Sequence, residues 1–357
     1  MAKVVLLPGD GIGPEILQEA KKVIHAVAKA SQAEIDMQEY PIGGGAFDEF
    51  GAPLPQHTLE AAQKADAVLL AAVGGPKWDT LPGHQRPEKG LLELRKGLNA
   101  YANIRPVRCF SSLVGASTLR AEVVNNVDLV IIRELTGGVY FGEKKRWTEE
   151  QRFALDTLIY SEEEVRRIVK VGFETARQRR KHLTSVDKAN VLDSSRMWRE
   201  IVEEMKVDYP DVTVSHMLVD NCAMQLIRNP GQFDVVVTEN MFGDILSDEA
   251  SMLTGSIGML PSASLGDQAG LYEPIHGSAP DIAGKGIANP CGIILSTAMM
   301  FRNSLGLSEY ADKIEQAVNE ILEEGYRTAD LAGNDTDPSK ILSTSAMGDR
   351  IVQKLVG

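Results

Sequence analysis

Short apolar runs alternate along this chain with segments whose apolar residues recur every three or four positions. The first pattern predicts buried β-strands and the second predicts amphipathic helices. Strands are predicted over residues 4–10, 66–73, 128–135, 212–220 and 233–239, and helices over 14–30, 162–181, 194–206 and 308–325. This alternation predicts an α/β fold with a largely parallel sheet. Glycine, serine and proline are dense between residues 255 and 292, which predicts a long functional loop region.

The composition is that of a globular protein with an acidic balance. The length of 357 residues favours two domains, and 37 Lys and Arg against 50 Asp and Glu give a net charge of −13. This sign argues against binding to nucleic-acid phosphates, which requires a basic face. An anionic substrate would therefore have to meet arginines that are concentrated at its own site.

The cysteines and the apolar runs predict a soluble, cytoplasmic protein that does not enter a membrane. Cys109, Cys222 and Cys291 lack CxxC spacing and are expected to be reduced thiols. The N-terminal apolar run fits a first strand better than a signal peptide. The longest apolar run, residues 292–301, is shorter than the ~20 residues that a membrane span requires.

Two glycine-rich segments look like phosphate-binding motifs but do not match them. In PGDGIGPE, a G-x-G-x-x-G motif that starts at Gly9 would need a third glycine where Pro14 lies. In GSAPDIAGKG, six residues separate Gly277 from Gly284, where a P-loop has four. Neither the usual dinucleotide site nor a P-loop is therefore predicted.

A pair of aspartates marks the segment TENMFGDILSDEAS, residues 238–251. Asp244 and Asp248 are four residues apart, so a helix would bring them to one face, where like charges repel by roughly 0.2–0.5 kcal/mol. Such a pair is tolerable on a solvated surface, and it becomes useful if a divalent cation binds both carboxylates.

Nine segments together identify a family. They are GDGIGPE (9–15), GGPKWD (74–79), PEKGLLELRK (87–96), NIRP (103–106), RELTGGVYFG (133–142), DKANVL (187–192), VDN (219–221), NMFGDILSDEAS (240–251) and HGSAPDIAGKGIANP (276–290). In order and spacing they resemble the β-decarboxylating dehydrogenases, the isocitrate and isopropylmalate dehydrogenase family. The resemblance covers nearly the whole chain.

The resemblance implies a two-domain α/β fold with a large mixed sheet flanked by helices, and not a Rossmann fold. Residues 1–100 and 256–357 would form a discontinuous NAD-binding domain, and 101–255 a second domain with the dimer interface. Residues 137–147 would belong to an arm that pairs between subunits. The expected protein is a homodimer with shared active sites.

The expected reaction is the NAD- and metal-dependent oxidative decarboxylation of (2R,3S)-3-isopropylmalate to 4-methyl-2-oxopentanoate and CO₂, a step of leucine biosynthesis. Oxidation of tartrate or malate stays open as an alternative, because similar motifs serve such relatives. A catalytically inactive NAD-binding regulatory protein is a further alternative.

The resemblance also assigns roles to residues at the reacting centre. The substrate carboxylates would be bound by Arg95, Arg105 and Arg133, and Asp220 would be a further substrate-binding residue. Mg²⁺ or Mn²⁺ would be held by Asp244, Asp248 and, from the other subunit, Asp220. Lys188 would accept the proton of the C2 hydroxyl, and Tyr140 would protonate the enolate carbon. The alternatives are surface salt bridges for the arginines, an N-cap for Asp220, a surface turn for Lys188 and hairpin packing for Tyr140.

For the cofactor, the resemblance points to the loop HGSAPDIAGKGIANP and two further positions. NAD would be bound by Gly75, Glu273, His276, Gly277, Ser278, Ala279, Pro280, Asp281, Ile282 and Asn289. Asp281 indicates NAD rather than NADP, because a carboxylate accepts hydrogen bonds from a ribose 2′-hydroxyl and repels a 2′-phosphate.

Substrate preference would depend on Glu88, Leu91 and Leu92. Two leucines suit an isopropyl group, whose burial contributes roughly 2–3 kcal/mol. That amounts to a preference of about 30- to 150-fold over a substrate without the group.

Overall fold

The computed structural model describes residues 1–125, 127–147 and 152–356. The strands of these residues are β1 Ala2–Gly9, β2 Ile35–Glu39, β3 Ala67–Ala72, β4 Ala102–Arg108, β5 Asp128–Glu134, β6 Lys144–Arg146, β7 Ala154–Asp156, β8 His182–Asp187, β9 Thr213–Leu218, β10 Val235–Thr238, β11 Pro261–Leu265 and β12 Gly270–Pro274. The helices are α1 Gly13–Ser31, α2 Gly44–Phe50, α3 Gln56–Gln63, α4 Pro87–Gly97, α5 Ala121–Val124, α6 Glu162–Gln178, α7 Asp193–Met205, α8 Val219–Arg228, α9 Asn240–Ser251, α10 Cys291–Asn303, α11 Ser308–Glu323 and α12 Thr344–Val356.

The first compact unit comprises residues 1–100, 109–118 and 254–357. Its strands lie in the order β2-β1-β3-β12-β11, and only β11 runs antiparallel to its neighbour β12. Every residue of β3 is buried, as expected for a central strand of a helix-covered sheet. The helix α10 is buried along its first eleven residues and packs against β11, β12, α1 and α11.

The second unit comprises residues 101–108 and 119–253. Its strands lie in the order β4-β5-β10-β8-β9, with β4 antiparallel to β5 and the other neighbours parallel. The helix α6 begins at a capping box in which Ser161 and Glu164 bond each other's backbone amides. Its apolar face joins α7 and the strands in one buried cluster.

A separate two-stranded ribbon, β6 with β7, extends from the second unit. All six residues of the two strands are exposed. Next to the ribbon, the rings of Trp147 and Phe153 stack with centroids 3.5 Å apart. The strand β6 lies within the segment 137–147, which the family resemblance assigns to an intersubunit arm.

The structure confirms the predicted α/β class and every strand and helix predicted from periodicity, to within about three residues at each end. Each unit contains parallel strands and one antiparallel pair, so the predicted mixed character of the sheet is present in both. One segment lies outside the division that the sequence suggests. Cys109–Thr118 packs with the first unit, where Leu113 is buried and the Arg327 guanidinium donates to the carbonyl of Ser112.

The loop region predicted over residues 255–292 is not all loop. Two short buried strands, β11 and β12, lie within it and pair with each other. Their sequences, PSASL and GLYEP, contain few β-branched residues, so the usual strand signal is weak. Burial stabilises them instead, and the Ser262 hydroxyl donates to the carbonyl of Glu273 across the pair. The irregular loop that remains spans residues 275–290.

Among the described residues, no helix combines the length and apolar character that crossing a membrane would require.

Candidate active site

Arginines and aspartates meet at the carboxyl end of β10, where α9 begins. Glu239 caps the helix by accepting a hydrogen bond from the amide of Phe242. One turn further, Asp244 accepts short hydrogen bonds from the Arg133 guanidinium and the Tyr140 hydroxyl. Arg105 donates to the Ser247 hydroxyl at 2.6 Å and contacts Asp248 at 3.4 Å. Helical spacing brings the two carboxylates to one face of α9, and the arginines of β4 and β5 contact that face.

Arg105 and Arg133 are buried, with exposed fractions of 6% and 2%. They are not the surface salt bridges that a lone arginine usually makes, since a buried guanidinium must be matched by acceptors. Asn103 supplies one acceptor for Arg105, at 2.6 Å from Nε. Strand pairing explains the arrangement, because Asn103 of β4 lies opposite Arg133 of β5. Guanidinium groups ordered in this way suit a ligand with two carboxylates.

Tyr140 retains its proton at neutral pH. It lies in the turn Gly138–Tyr140, and burial together with the hydrogen bond to Asp244 raises its pKa to about 12. The nearby Arg133 guanidinium works in the opposite direction but does not offset burial. The phenol is thus a donor in this arrangement. The hairpin strands begin only at Lys144, so Tyr140 is not part of a hairpin.

Asp244 and Asp248 have the chemistry of a hard cation site. Asp248 is exposed over 61% of its side chain and Asp244 over 34%, so both carboxylates can be reached from outside. Partial burial of its carboxyl group nevertheless raises the pKa of Asp248. A dication bound beside it would lower that pKa again. Carboxylate oxygens are the ligands that Mg²⁺ and Mn²⁺ prefer.

Lys188 and Asp220 form a second group at the same edge of the sheet. The neighbouring parallel strands β8 and β9 end in register at Asp187 and Leu218. Lys188 Nζ consequently donates to Asp220 Oδ1 at 2.6 Å, and this bond lowers the pKa of Asp220. Asp220 is not an N-cap, because it lies in the first turn of α8 and no side chain caps that helix.

One chain does not assemble a complete metal site in the part that the structure describes. No three His, Cys, Asp or Glu side chains are grouped there in a way that could hold an ion. Asp220 pairs with Lys188, whereas Asp244 pairs with Arg133. A third carboxylate from the same chain is thus not supplied at Asp244 and Asp248.

The irregular loop 275–290 is anchored at both ends. Near its start, the carbonyl of Ser278 accepts a hydrogen bond from the amide of Ile12 at 2.8 Å. Gly11 has φ +59, and a Cβ there would lie 2.0 Å from the Ser278 carbonyl oxygen. Only glycine fits this close approach. Near the end, Thr344 bonds the carbonyl oxygens of Gly286 and Ala288.

Asp330 accepts hydrogen bonds from Asn289 of this loop and from Ser256. Asn289 Nδ2 donates to the Asp330 carboxylate at 3.0 Å, and the Ser256 hydroxyl donates to the same oxygen at 2.6 Å. Burial lowers the pKa of His276, which is therefore neutral at pH 7. Its Nε2 is buried and has no hydrogen-bond partner among the described residues. Asp281, in contrast, is exposed.

The helix α4 carries the predicted substrate residues of the first unit on one face. Glu88, Leu91, Leu92 and Arg95 follow helical spacing, with the leucines half-buried and Glu88 exposed. Arg95 donates to Glu273 of β12 at 2.7 Å. Its Nε atom is buried and lacks a hydrogen-bond partner in the part of the chain described, which leaves a donor for a ligand.

Asp10 organises the glycine-rich ends of β1 and β3. Its carboxylate accepts hydrogen bonds from the amides of Gly44, Gly45 and Gly74, at 2.8 to 2.9 Å. The predicted cofactor residue Gly75 follows directly, and a Cβ there would contact the Trp78 ring at 3.1 Å.

Comparison with known proteins identifies the family. The sequence profile described as isocitrate/isopropylmalate dehydrogenase matches residues 3–351. The chain belongs to the isocitrate/isopropylmalate dehydrogenase family. It is 58% identical over 356 residues to a 3-isopropylmalate dehydrogenase of Halalkalibacterium halodurans, covering 99% of this chain and 97% of that protein. It is 61% identical over 329 residues to one of Oceanobacillus iheyensis, covering 92% and 89%.

A solved structure supports the same assignment for the fold. The crystal structure of isocitrate dehydrogenase from Methylococcus capsulatus superposes with a TM-score of 0.89 at 36% identity. The match covers 100% of both chains. The predicted family and its α/β fold are therefore confirmed.

Within each unit, several residues that organise the neighbourhood of the predicted site residues were not singled out from the sequence. They are Asp10, Asn103, Asn240 and Asp330. Asn103 and Asn240 lie inside the family segments NIRP and NMFGDILSDEAS, so position within a motif was the available signal. Asp330 carries no such signal, because it lies in none of the family segments and 41 positions from Asn289.

Proposed function

We propose that this chain is an enzyme that converts (2R,3S)-3-isopropylmalate to 4-methyl-2-oxopentanoate and CO₂ with reduction of NAD, a step of leucine biosynthesis. The observation that carries the proposal is the identity of 58% over 356 residues to a 3-isopropylmalate dehydrogenase. The cluster of arginines and aspartates at α9 supplies the chemistry that this reaction requires.

The arginines bind the malate core of the substrate. Arg105 and Arg133 are held by neighbouring acceptors, so their forked donors are ordered before the substrate arrives. Arg95 of the first unit, whose Nε has no hydrogen-bond partner among the described residues, offers a further donor for a carboxylate. Two carboxylates on the substrate explain why an acidic protein buries the guanidinium groups of Arg105 and Arg133 in the second unit.

Asp244 and Asp248, with Asp220 of a second subunit, hold Mg²⁺ or Mn²⁺. When bound, the ion supplies Lewis-acid polarisation of the C2 oxygen. Lys188 Nζ, which comes from the second subunit together with its partner Asp220, would accept the proton of the C2 hydroxyl, and NAD would accept the C2 hydride. The C3 carboxylate then leaves as CO₂, its bonding electrons form the enolate, and Tyr140 donates its phenolic proton to C3. The raised pKa of Tyr140 supports this donor role.

NAD binds at the first unit, on the loop 275–290 together with Gly75 and Glu273. The neutral His276, with a buried nitrogen that lacks a partner in the described residues, suits the adenine. The loop backbone would approach NAD closely at Gly277, Ser278, Ala279, Pro280 and Ile282. Ala279 has the uncommon φ of +38. The exposed carboxylate of Asp281 favours a ribose 2′-hydroxyl over a 2′-phosphate.

A homodimer with shared active sites is part of the proposal. Four large apolar side chains are exposed on α8, on α9 and at the residue directly after α9, and these two helices pack against each other. They are Met224, Ile227, Ile245 and Met252. Water-exposed apolar patches mark association surfaces, and a second copy would add the missing Asp220 carboxylate to Asp244 and Asp248. A cytoplasmic location fits the three buried, unpaired thiols.

Replacing Met224 with lysine should dissociate the dimer and abolish turnover together. Met224 is 61% exposed on α8, and a charge in an apolar interface remains unpaired when buried. Sedimentation and activity are measured over the same range of protein concentration. Val207→Lys is the matched control, because Val207 is 78% exposed but lies on neither helix. A monomeric Met224→Lys protein with normal turnover would contradict the shared site.

The function is tested by following NADH formation with 3-isopropylmalate, isocitrate, tartrate and malate, with Mg²⁺ and again with excess EDTA. We expect chelator-sensitive turnover, with 3-isopropylmalate preferred over malate by about 30- to 150-fold in kcat/KM, because Leu91 and Leu92 bury the isopropyl group. Replacement of NAD by NADP should weaken turnover. Preference for another acid would overturn the substrate, and NAD binding without any turnover would favour a regulatory protein.

A further inference from the structure

Asn240, the first residue of α9, makes hydrogen bonds to two parts of the active site. Its side-chain oxygen accepts from Arg133 Nε at 3.0 Å and from Arg133 Nη2 at 2.8 Å. Its side-chain nitrogen donates to the carbonyl of Gly137 at 3.0 Å. The residue is 1% exposed, so these bonds form without competition from water.

We propose that Asn240 is a positioning residue that holds Arg133 and the turn bearing Tyr140 in one fixed arrangement. The inference rests on the proposed function for the roles of Arg133 and Tyr140. The neutral side chain of Asn240 thus orients both the substrate-binding guanidinium of Arg133 and the proton donor Tyr140.

The carboxamide has only one possible orientation in this place. A guanidinium has no acceptor, so Arg133 must face the amide oxygen, and a carbonyl has no donor, so Gly137 must face the nitrogen. Both Nε and Nη2 of Arg133 share the one oxygen, which fixes the plane of the guanidinium. Nη1 bonds Asp244 on the other side. Gly243 confines the Arg133 side chain on a further side, because a Cβ on Gly243 would lie 2.6 Å from Arg133 Cγ.

The turn that carries Tyr140 is held between Asn240 and Tyr160. A Cβ on Gly137 would lie 2.6 Å from the Tyr160 ring, and Gly138 has φ +71. The Tyr160 hydroxyl accepts a hydrogen bond from the backbone N–H of Asn240 at 3.0 Å and donates to the Glu239 carboxylate at 3.3 Å. Asn240 therefore bonds the turn directly through Gly137, and it also bonds Tyr160, whose ring packs against the turn.

Asn240→Ala tests this role when both Michaelis parameters are measured for the acid and for NAD. We expect KM for 3-isopropylmalate to rise by about tenfold or more, since buried hydrogen bonds to a charged group are lost. The value of kcat should fall as well, because the Tyr140 turn loosens, while KM for NAD stays within about twofold. Asn240→Asp restores an acceptor for Arg133 but places an oxygen against the Gly137 carbonyl, so kcat should remain low.

Asp234→Ala is the matched control for a loss of stability. At the opposite end of β10, Asp234 is 2% exposed and accepts from Arg179 Nε at 2.9 Å, much as Asn240 accepts from Arg133. Both alanine variants should melt at lower temperature, but only Asn240→Ala should change KM and kcat. On an Arg133→Lys background, the effect of Asn240→Ala on KM should largely vanish, whereas its effect on kcat should persist.

A crystal structure of Asn240→Ala separates failure of this inference from failure of the proposed function. Without any substrate, it should show a displaced or disordered Arg133 guanidinium and Gly137–Tyr140 turn. An unchanged arrangement, or kinetics that match those of Asp234→Ala, would overturn the role of Asn240. Wild-type protein that oxidises none of the four acids would overturn the proposed function, while the crystal structure still decides the role of Asn240.

Discussion

Lys188→Ala should lower turnover of 3-isopropylmalate by about 10²- to 10⁴-fold, the range that one proton-transfer group contributes. NAD binding should not change, because Lys188 belongs to the second unit and the cofactor loop to the first. Steady-state kinetics and a separate titration with NAD measure the two quantities. Lys206→Ala, which removes an exposed lysine paired with Glu203, is the control and should turn over normally. Near-normal turnover by Lys188→Ala would remove this residue from the mechanism.

A mixture of two inactive variants tests whether Lys188 acts across the subunit interface. In a hybrid of Lys188→Ala and Tyr140→Phe subunits, one site would combine the intact Lys188 of one chain with the intact Tyr140 of the other. Activity should therefore return when the two proteins are dissociated and reassociated together. If both residues serve the site of their own chain, every site in the hybrid lacks one group and the mixture stays inactive.

The second large effect is expected from Asp248→Asn, which should weaken Mn²⁺ binding by about 100-fold or more. A neutral amide replaces one of the hard anionic ligands in a site with few of them. The affinity is measured by electron paramagnetic resonance of free Mn²⁺ with 3-isopropylmalate present, so the result does not depend on turnover. NADH formation should fall in parallel and recover in part at high Mn²⁺.

Glu249→Gln provides the matched control for this change in charge. It removes a carboxylate from the next position of α9, a residue whose raised pKa results from burial. Its Mn²⁺ affinity should equal that of the wild type. Equal Mn²⁺ binding by Asp248→Asn and the wild type would show that Asp248 serves only as a partner for Arg105, which it contacts at 3.4 Å.

Local patterns in the sequence were sufficient for the elements and for part of the site. The placement of Asp244 and Asp248 on one face depends only on helical geometry, and α9 presents both carboxylates as that geometry requires. Arg133 falls within the strand predicted over residues 128–135, and β5 includes it with 2% exposure. These features involve residues within one turn or one strand of each other.

Contacts between distant segments required the tertiary structure. Asn240 meets Arg133 because β10 and β5 are parallel neighbours with Thr238 opposite Arg133, and Lys188 meets Asp220 because β8 and β9 end together. No periodicity in the chain encodes which strands become neighbours or in what register. The strands β11 and β12 were missed for a related reason, since burial rather than residue preference stabilises them. The sequence by itself determined the family, the class of elements and the chemistry of the reacting groups, because those depend on residue type and short spacing. Only the tertiary structure decided which groups touch, because strand order and register bring together residues about 30 to 110 positions apart.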